Sequence, residues 1–191
     1  MKDWPKIILA SKSPRRHFLM EQSGIDFEVR TREIEETYPE DLDVREIAEF
    51  LARKKANGVK DLAEPGELIV TADTTVIFDG KMYGKPKGRE DAIKIIREYS
   101  GQMHEVITGV CLVQDIRMHS FSVVTAVHLD ALTEEELIYY VDNYKPYDKA
   151  GAYGIQEWIG WTKIGKIEGS YTNVMGLPLS HVYEAIKEFI S

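Results

Sequence analysis

The sequence predicts an α/β protein built on a mixed sheet, and three features carry that expectation. Apolar runs of strand length alternate with amphipathic runs of helix length, the pattern of parallel strands joined by crossover helices. The long runs 104–114 and 117–129 are separated only by Asp115-Ile116, which reads as a turn between two paired strands. Val76-Ile77-Phe78 runs into Asp79-Gly80, a strong hairpin signal.

In chain order, residues 7–10 read as a first strand. Ser13 then stands where a helix cap would, with Pro14 at the first helical position, where its missing N–H costs nothing. The helix is expected over 14–23, with Gly24 as its stop. Phe27-Glu28-Val29 alternates and reads as a second strand. Residues 31–42 are polar and acidic, with Glu33, Glu35, Glu36, Glu40 and Asp41. Such a loop is either simply solvated or supplies a carboxylate to a metal. A second helix is expected over 43–57, from Val44, Ile47, Ala48 and Leu51 on one face. Lys55 lies at the end of that stripe, where a lysine either snorkels or serves a site.

Leu68–Ala72 reads as an apolar strand ending at Asp73-Thr74-Thr75, before Val76–Phe78 continues. A carboxylate between two apolar strand segments needs hydrogen bonds, a cation or a metal, unless it only braces a turn. Lys85 is expected in a turn at Gly84-Lys85-Pro86, followed by a helix over 89–99 that ends at Ser100-Gly101. His104, His119 and His128 fit no zinc spacing and read as strand or surface histidines. Thr133 and Glu136 form a capping box, with a helix to about Asn143. Asp148–Gln156 is a loop with glycines at 151 and 154. A strand near 162–167, a turn through Gly169-Ser170 and a last helix over 179–190 complete the chain.

The 191 residues are expected to form a single domain, 1–191, or one compact unit with two lobes around a cleft. The net charge of −8 argues against a nucleic acid polymer or an anionic membrane as partner. No leader peptide and no run of about 20 apolar residues is seen, so the cytoplasm is the expected location. The lone Cys111, in an apolar run, reads as a buried thiol. Rossmann, Walker and nucleophile-elbow patterns are all missing.

The chemistry-bearing residues collect at element ends and turns. Lys12, Arg15 and Arg16 surround a helix start, whose free N–H groups and dipole attract anions. The plain alternative is a solvated basic turn. Lys55, Lys85 and Lys149 add cations, and Glu36, Asp73 and Asp148 add carboxylates. Cations hold phosphate oxygens, while carboxylates hold Mg²⁺ or Mn²⁺ and take a proton from attacking water. Together they suggest a metal-dependent enzyme acting on a phosphorylated ligand.

Six motifs then resemble one family. They are Leu9-Ala10-Ser11-x-Ser13-Pro14-Arg15-Arg16, Ala72-Asp73-Thr74, Gly84-Lys85-Pro86, Ser100-Gly101-x-x-His104-x-Val106-x-Thr108-Gly109, Asp148–Gln156 and Gly176-Leu177-Pro178-Leu179. In this order they are similar to those of the Maf family of nucleoside triphosphate pyrophosphatases. The resemblance implies an elongated mixed sheet flanked by helices, two lobes around a cleft, as in the inosine-triphosphate pyrophosphatase fold. It implies cleavage between the α and β phosphates with a divalent cation (Mg²⁺, Mn²⁺ or Co²⁺), and a homodimer. Asp73 matches the general base, with Glu36, Lys55 and Lys85 as the other polar catalytic residues. Asp73 and Glu36 are the expected metal ligands. Ser11, Ser13, Arg15, Arg16, Thr74, Asp148, Lys149 and Gln156 are the expected substrate-binding residues.

Arg15, Thr74 and Gln156 match the selectivity positions of the branch resembling dTTP/UTP pyrophosphatases. The branch acting on 7-methyl-GTP typically has Trp, Gln and Glu there. A neutral amide both donates and accepts, so it suits the N3–H and carbonyl of a pyrimidine. The expected substrates are dTTP and UTP, with modified pyrimidine triphosphates also plausible. A 7-methyl-GTP pyrophosphatase and a non-catalytic regulator of septum formation are the alternatives.

Overall fold

The computed structural model describes residues 4–191. Strand β1 (Ile7–Leu9) leads into helix α1 (Pro14–Gln22), strand β2 (Phe27–Val29) and helix α2 (Ile47–Val59). Strands β3 (Leu68–Phe78) and β4 (Lys81–Tyr83) precede helix α3 (Arg89–Tyr99) and the long strands β5 (Met103–Gln114) and β6 (Arg117–Leu129). Helices α4 (Glu134–Tyr144) and α5 (Trp158–Thr162), strand β7 (Ile164–Glu168), and helices α6 (Tyr171–Met175) and α7 (Leu179–Ile190) follow.

The strands form one sheet in the order β2-β1-β3-β5-β6-β7, with β4 paired to β3. β1 runs parallel to β2 and β3, reached through α1 and α2. β4 is antiparallel to β3, and β7 to β6. The sheet is therefore mixed, and the hairpins arise where the sequence places them. Asp79 and Gly80 take φ of 49° and 70°, the left-handed pair that a two-residue hairpin turn requires.

The chain divides into two compact units. One comprises the chain up to Asp73, Thr108–Val123 and Gly176–Ser191; the other comprises Thr74–Ile107 and Val124–Met175. In the first, Ala52, Ala56 and Val59 of α2 pack on Ile8, Ile69, Cys111 and Val113. Ala48, Ala52 and Ala56 are fully buried one turn apart, a seam of small residues that lets α2 lie close to the sheet. Contact is tightest at Gly109, where a Cβ would stand 2.3–2.4 Å from the backbone of Ala48 and Glu49. Thr71 adds a hydrogen bond from its hydroxyl to the Ala52 carbonyl, 2.7 Å.

In the second unit Val76, Val106 and Val127 form a small core. Nearby, the His104 ring lies 4.6 Å from that of Tyr99 and 5.4 Å from that of Tyr153, edge-on to the latter. His104 Nε2 is bonded to the Tyr153 hydroxyl at 2.8 Å, and the Tyr99 hydroxyl donates to the Gly151 carbonyl. His104 is thus a strand histidine, but a buried one. Its Nδ1 has no hydrogen-bond partner among the described residues.

Burial, and secondarily the charge of His128, lowers the His104 imidazole from 6.5 to about 3. In the unfolded chain this residue takes up a proton near pH 6.5, while the folded protein resists until about pH 3. Its contribution is therefore complete above pH 6.5 and is lost as pH falls toward 3. We expect a loss of roughly 1.4 kcal/mol per pH unit in that window. Comparing denaturant curves of wild type and His104→Phe between pH 6.5 and 4.5 subtracts the shared carboxylate contribution. Parallel pH dependences would exclude this role.

Three local expectations need correction. β3 runs without a break through Asp73–Thr75, because the Asp73 carboxylate meets a lysine and the strand can bury it. Helix α2 starts at Ile47, since Asp43 holds a preceding turn by accepting from the Arg45 N–H at 2.8 Å. The third is an omission: helices α5 and α6, five residues each, flank the strand and turn that were expected near 162–170.

Candidate active site

The first unit gathers Ser11, Ser13, Arg15, Arg16, Glu36, Lys55 and Asp73. Ser13 occupies the cap position of α1 with Pro14 behind it, but its side chain makes no capping bond. Ser11 is buried, and its hydroxyl accepts from the Ser13 N–H at 3.2 Å. Its carbonyl is bonded by the His17 ring at 2.6 Å. The turn before α1 is therefore shaped by Ser11.

Arg16 points back toward β3. Its Nε donates to the Gly176 carbonyl at 2.7 Å and its Nη1 to the Ala72 carbonyl at 2.8 Å. Burial lowers the Arg16 guanidinium below its usual range; Asp73 opposes this, Arg15 adds to it and Glu36 opposes it. These four side chains share one field. Arg16 thus acts as a strut next to Asp73, with two of its nitrogens engaged on main chain.

Lys55 rises from α2 to meet two carboxylates. Its ammonium lies 2.5 Å from Asp73 Oδ1 and 2.7 Å from Glu36 Oε1. Asp73 is buried in β3 at 8% exposure, whereas Glu36 is about half exposed on its loop. The arrangement solves the problem posed by the sequence: the carboxylate inside the strand is neutralised by a cation from the adjacent helix. It also leaves an aspartate carboxylate anchored at a fixed place, a group able to take a proton from a water within its reach.

The second unit holds Thr74, Lys85, Asp148, Lys149 and Gln156. Thr74 is half-buried and Lys85 is exposed. The Gly84 carbonyl accepts from the Gly151 N–H at 3.1 Å, which brings the Lys85 segment to the 148–157 loop. The Lys149 ammonium is bound by Asp148 Oδ1 at 2.8 Å and Glu157 Oε1 at 3.0 Å. Gln156 Oε1 is buried and accepts no hydrogen bond among the described residues. A buried acceptor without a donor is costly, so this oxygen is suited to a donor brought by a ligand.

The family model described as Maf-like protein matches residues 6–189. The chain belongs to the Maf family. A relative from Bacteroides thetaiotaomicron named dTTP/UTP pyrophosphatase is 50% identical, covering 96% of this chain and 95% of its own. A relative of the same name from Flavobacterium johnsoniae is 48% identical over 97% of this chain and 95% of its own. Among solved structures, the Staphylococcus aureus Ham1 protein shares the fold: 13% identity, 97% of this chain, 100% of that one, TM-score 0.53.

The motifs that mark this Maf chain carry Ser11–Arg16 and Asp73 in the first unit and Lys85 and the 148–156 loop in the second. Its donor set also fits a hard divalent cation. Two carboxylate oxygens, from Glu36 and Asp73, converge on one positively charged point, and Mg²⁺ is commonly held by one or two carboxylates plus substrate phosphates. No cluster of three or more His, Cys, Asp or Glu side chains that could hold a metal ion occurs among the described residues. No helix of the described residues is long and apolar enough to cross a membrane.

Two residues that hold the 148–157 loop, Tyr140 and Glu157, were not picked out from the sequence. The Tyr140 hydroxyl donates to Glu157 Oε2 and accepts from the Gly154 N–H at 2.9 Å. Burial first, and the Glu157 carboxylate second, keep this phenol well above its usual range, so it remains a donor. The only sequence signal was an acid directly after Gln156, at the end of a glycine-containing loop.

Proposed function

We propose that this Maf-family protein hydrolyses dTTP and UTP between the α and β phosphates, giving the monophosphate and pyrophosphate. The observation that carries the reading is the buried Asp73 carboxylate, held by Lys55 next to Glu36. Two close relatives bear the name dTTP/UTP pyrophosphatase, which supports the substrate class.

Asp73 orients a water and accepts its proton as the oxygen attacks the α phosphorus in line. Lys55 and Arg15 offset the growing negative charge, and Arg16 holds the Ala72 carbonyl so that Asp73 keeps its place. Lys85 is assigned to the same task by resemblance to the family, as are Ser11 and Ser13 to phosphate binding and Asp148 and Lys149 to substrate binding. A divalent cation (Mg²⁺, Mn²⁺ or Co²⁺) held by Glu36 and Asp73 would supply Lewis-acid charge at the triphosphate. Arg15, Thr74 and Gln156 select the base, and the unpartnered Gln156 Oε1 is an acceptor for the N3–H of thymine or uracil. A cytoplasmic location and a homodimer complete the proposal on the same resemblance.

Pyrophosphate release from dTTP, UTP, CTP, GTP, ITP and 7-methyl-GTP, each with Mg²⁺, Mn²⁺ or Co²⁺, tests this reading. Preferential cleavage of dTTP and UTP is expected. Gln156→Glu should shift preference toward 7-methyl-GTP, whose cationic, donor-rich edge suits a carboxylate. Cleavage of 7-methyl-GTP alone by wild type would keep the reaction and overturn the base assignment. No release from any nucleotide by folded protein would overturn the enzymatic reading.

A further inference from the structure

The loop that carries Gln156 is fastened by polar contacts among Tyr140, Asp148, Lys149, Gly154 and Glu157. At one end, Asp148 Oδ1 accepts from the Lys149 ammonium at 2.8 Å. The same ammonium reaches Glu157 Oε1 at 3.0 Å, at the other end of the loop. The second Glu157 oxygen accepts from the Tyr140 hydroxyl, which in turn accepts from the Gly154 N–H at 2.9 Å. The Glu157 N–H then returns to the Gly154 carbonyl at 3.0 Å. Gln156 lies between the two residues tied most directly, Gly154 and Glu157.

The network is built for close approach. Lys149 and Glu157 side chains are only 10% and 17% exposed. A Cβ on Gly154 would stand 2.8 Å from Glu157 Cδ and 3.0 Å from Lys149 Cε, so this glycine leaves room for the pair to meet beneath the loop. Trp158, the first residue of α5, stacks on Tyr140 at 6.5 Å and meets Tyr139 edge-on at 5.2 Å, which fixes the far side of the turn. Buried ion pairs add little net stability, and their best-attested use is to select one conformation over others.

The conformation selected here is that of the Gln156 turn, whose side-chain oxygen is buried and unpartnered. An acceptor at a fixed position discriminates by being left unpaired with the wrong ligand. Cytosine has no hydrogen at N3 and donates only from its 4-amino group, so an oxygen fixed against N3 goes unpaired, whereas the N3–H of thymine or uracil satisfies it.

We propose that Glu157, held by Tyr140 and Lys149, is a positioning residue for base selection that fixes the Gln156 amide against a pyrimidine N3–H. The proposal rests on the dTTP/UTP reading above and adds the residues that give it selectivity.

The test is kcat and KM for dTTP and CTP in wild type, Glu157→Gln and Tyr140→Phe, with thermal unfolding of each. Both variants are expected to lower the dTTP-over-CTP ratio of kcat/KM by about tenfold, the loss of one well-made hydrogen bond. The change should fall mainly on KM for dTTP, with kcat little altered. A merely structural role would depress both substrates together and leave their ratio intact, and that result in either folded variant overturns the proposal. Tyr140→Phe removes a single oxygen and decides the question if Glu157→Gln fails to fold. A wild type that cleaves dTTP and CTP equally would overturn the substrate reading itself, a failure distinct from unchanged variants of a selective enzyme.

Discussion

Asp73→Asn is expected to yield a folded protein that has lost nearly all turnover, by a factor of order 10²–10⁴. The substitution keeps the size of the side chain and an oxygen able to accept from Lys55, so the strand and the helix retain their contact at that point. Lys55 also keeps its second partner, Glu36 Oε1 at 2.7 Å. What is lost is the basic oxygen: an amide cannot take a proton from water at neutral pH. It is also a poorer ligand for a hard cation, so the two roles assigned to Asp73 fall together. Titrating the cation separates them. Activity that returns at high Mn²⁺ would reveal a ligand effect, and activity that stays low would reveal the missing base. Turnover near that of wild type, with an unchanged melting curve, would remove Asp73 from the reaction.

The parts of the fold that were legible are those governed by local rules. The Asp79-Gly80 turn was readable because few residue pairs accept two positive φ angles, and both are observed. The α4 capping box was readable because Thr133 and Glu136 are the residue types that satisfy each other's backbone N–H groups, as they do here. Helix α3 showed its burial in the spacing of Ala92, Ile93, Ile96 and Tyr99. The short helices α5 and α6 had too few residues for any period to register, and both are fixed by partners far off in the chain.

Site residues divide along the same line. Asp73 announced itself by being a charge inside an apolar strand, yet nothing local revealed that Lys55 would meet it from 18 residues away. Arg16 was visible as a cation near a helix start. Its two carbonyl partners lie 56 and 160 residues on, so its bracing role had no local signature. Glu157 and Tyr140, 17 residues apart, matter through each other, and pairing of that kind is a property of the folded chain.

Gly109→Ala is expected to be strongly damaging, lowering the unfolding free energy by about 3 kcal/mol. The added methyl would stand 2.3 Å from the Glu49 nitrogen and 2.4 Å from the Ala48 carbonyl carbon and oxygen. No rotamer can relieve this, because the obstruction is backbone. Helix α2 must lift from β5, opening space along the Ala48, Ala52 and Ala56 seam and stretching the 2.7 Å bond from Thr71 to the Ala52 carbonyl. Lys55 is carried on that helix, so its grip on Asp73 should loosen in whatever fraction remains folded. The variant is therefore expected to lose turnover per folded molecule as well as stability. Gly88→Ala is the matched control: its Cβ would meet nothing within 4 Å, and its φ of 168° is open to any residue. It should cost no more than about 1 kcal/mol, the change expected at a helix cap. Chemical denaturation of both variants, with turnover normalised to folded protein, decides the matter. If Gly109→Ala behaves like Gly88→Ala, the close seating of α2 is not what holds Lys55 against the buried carboxylate.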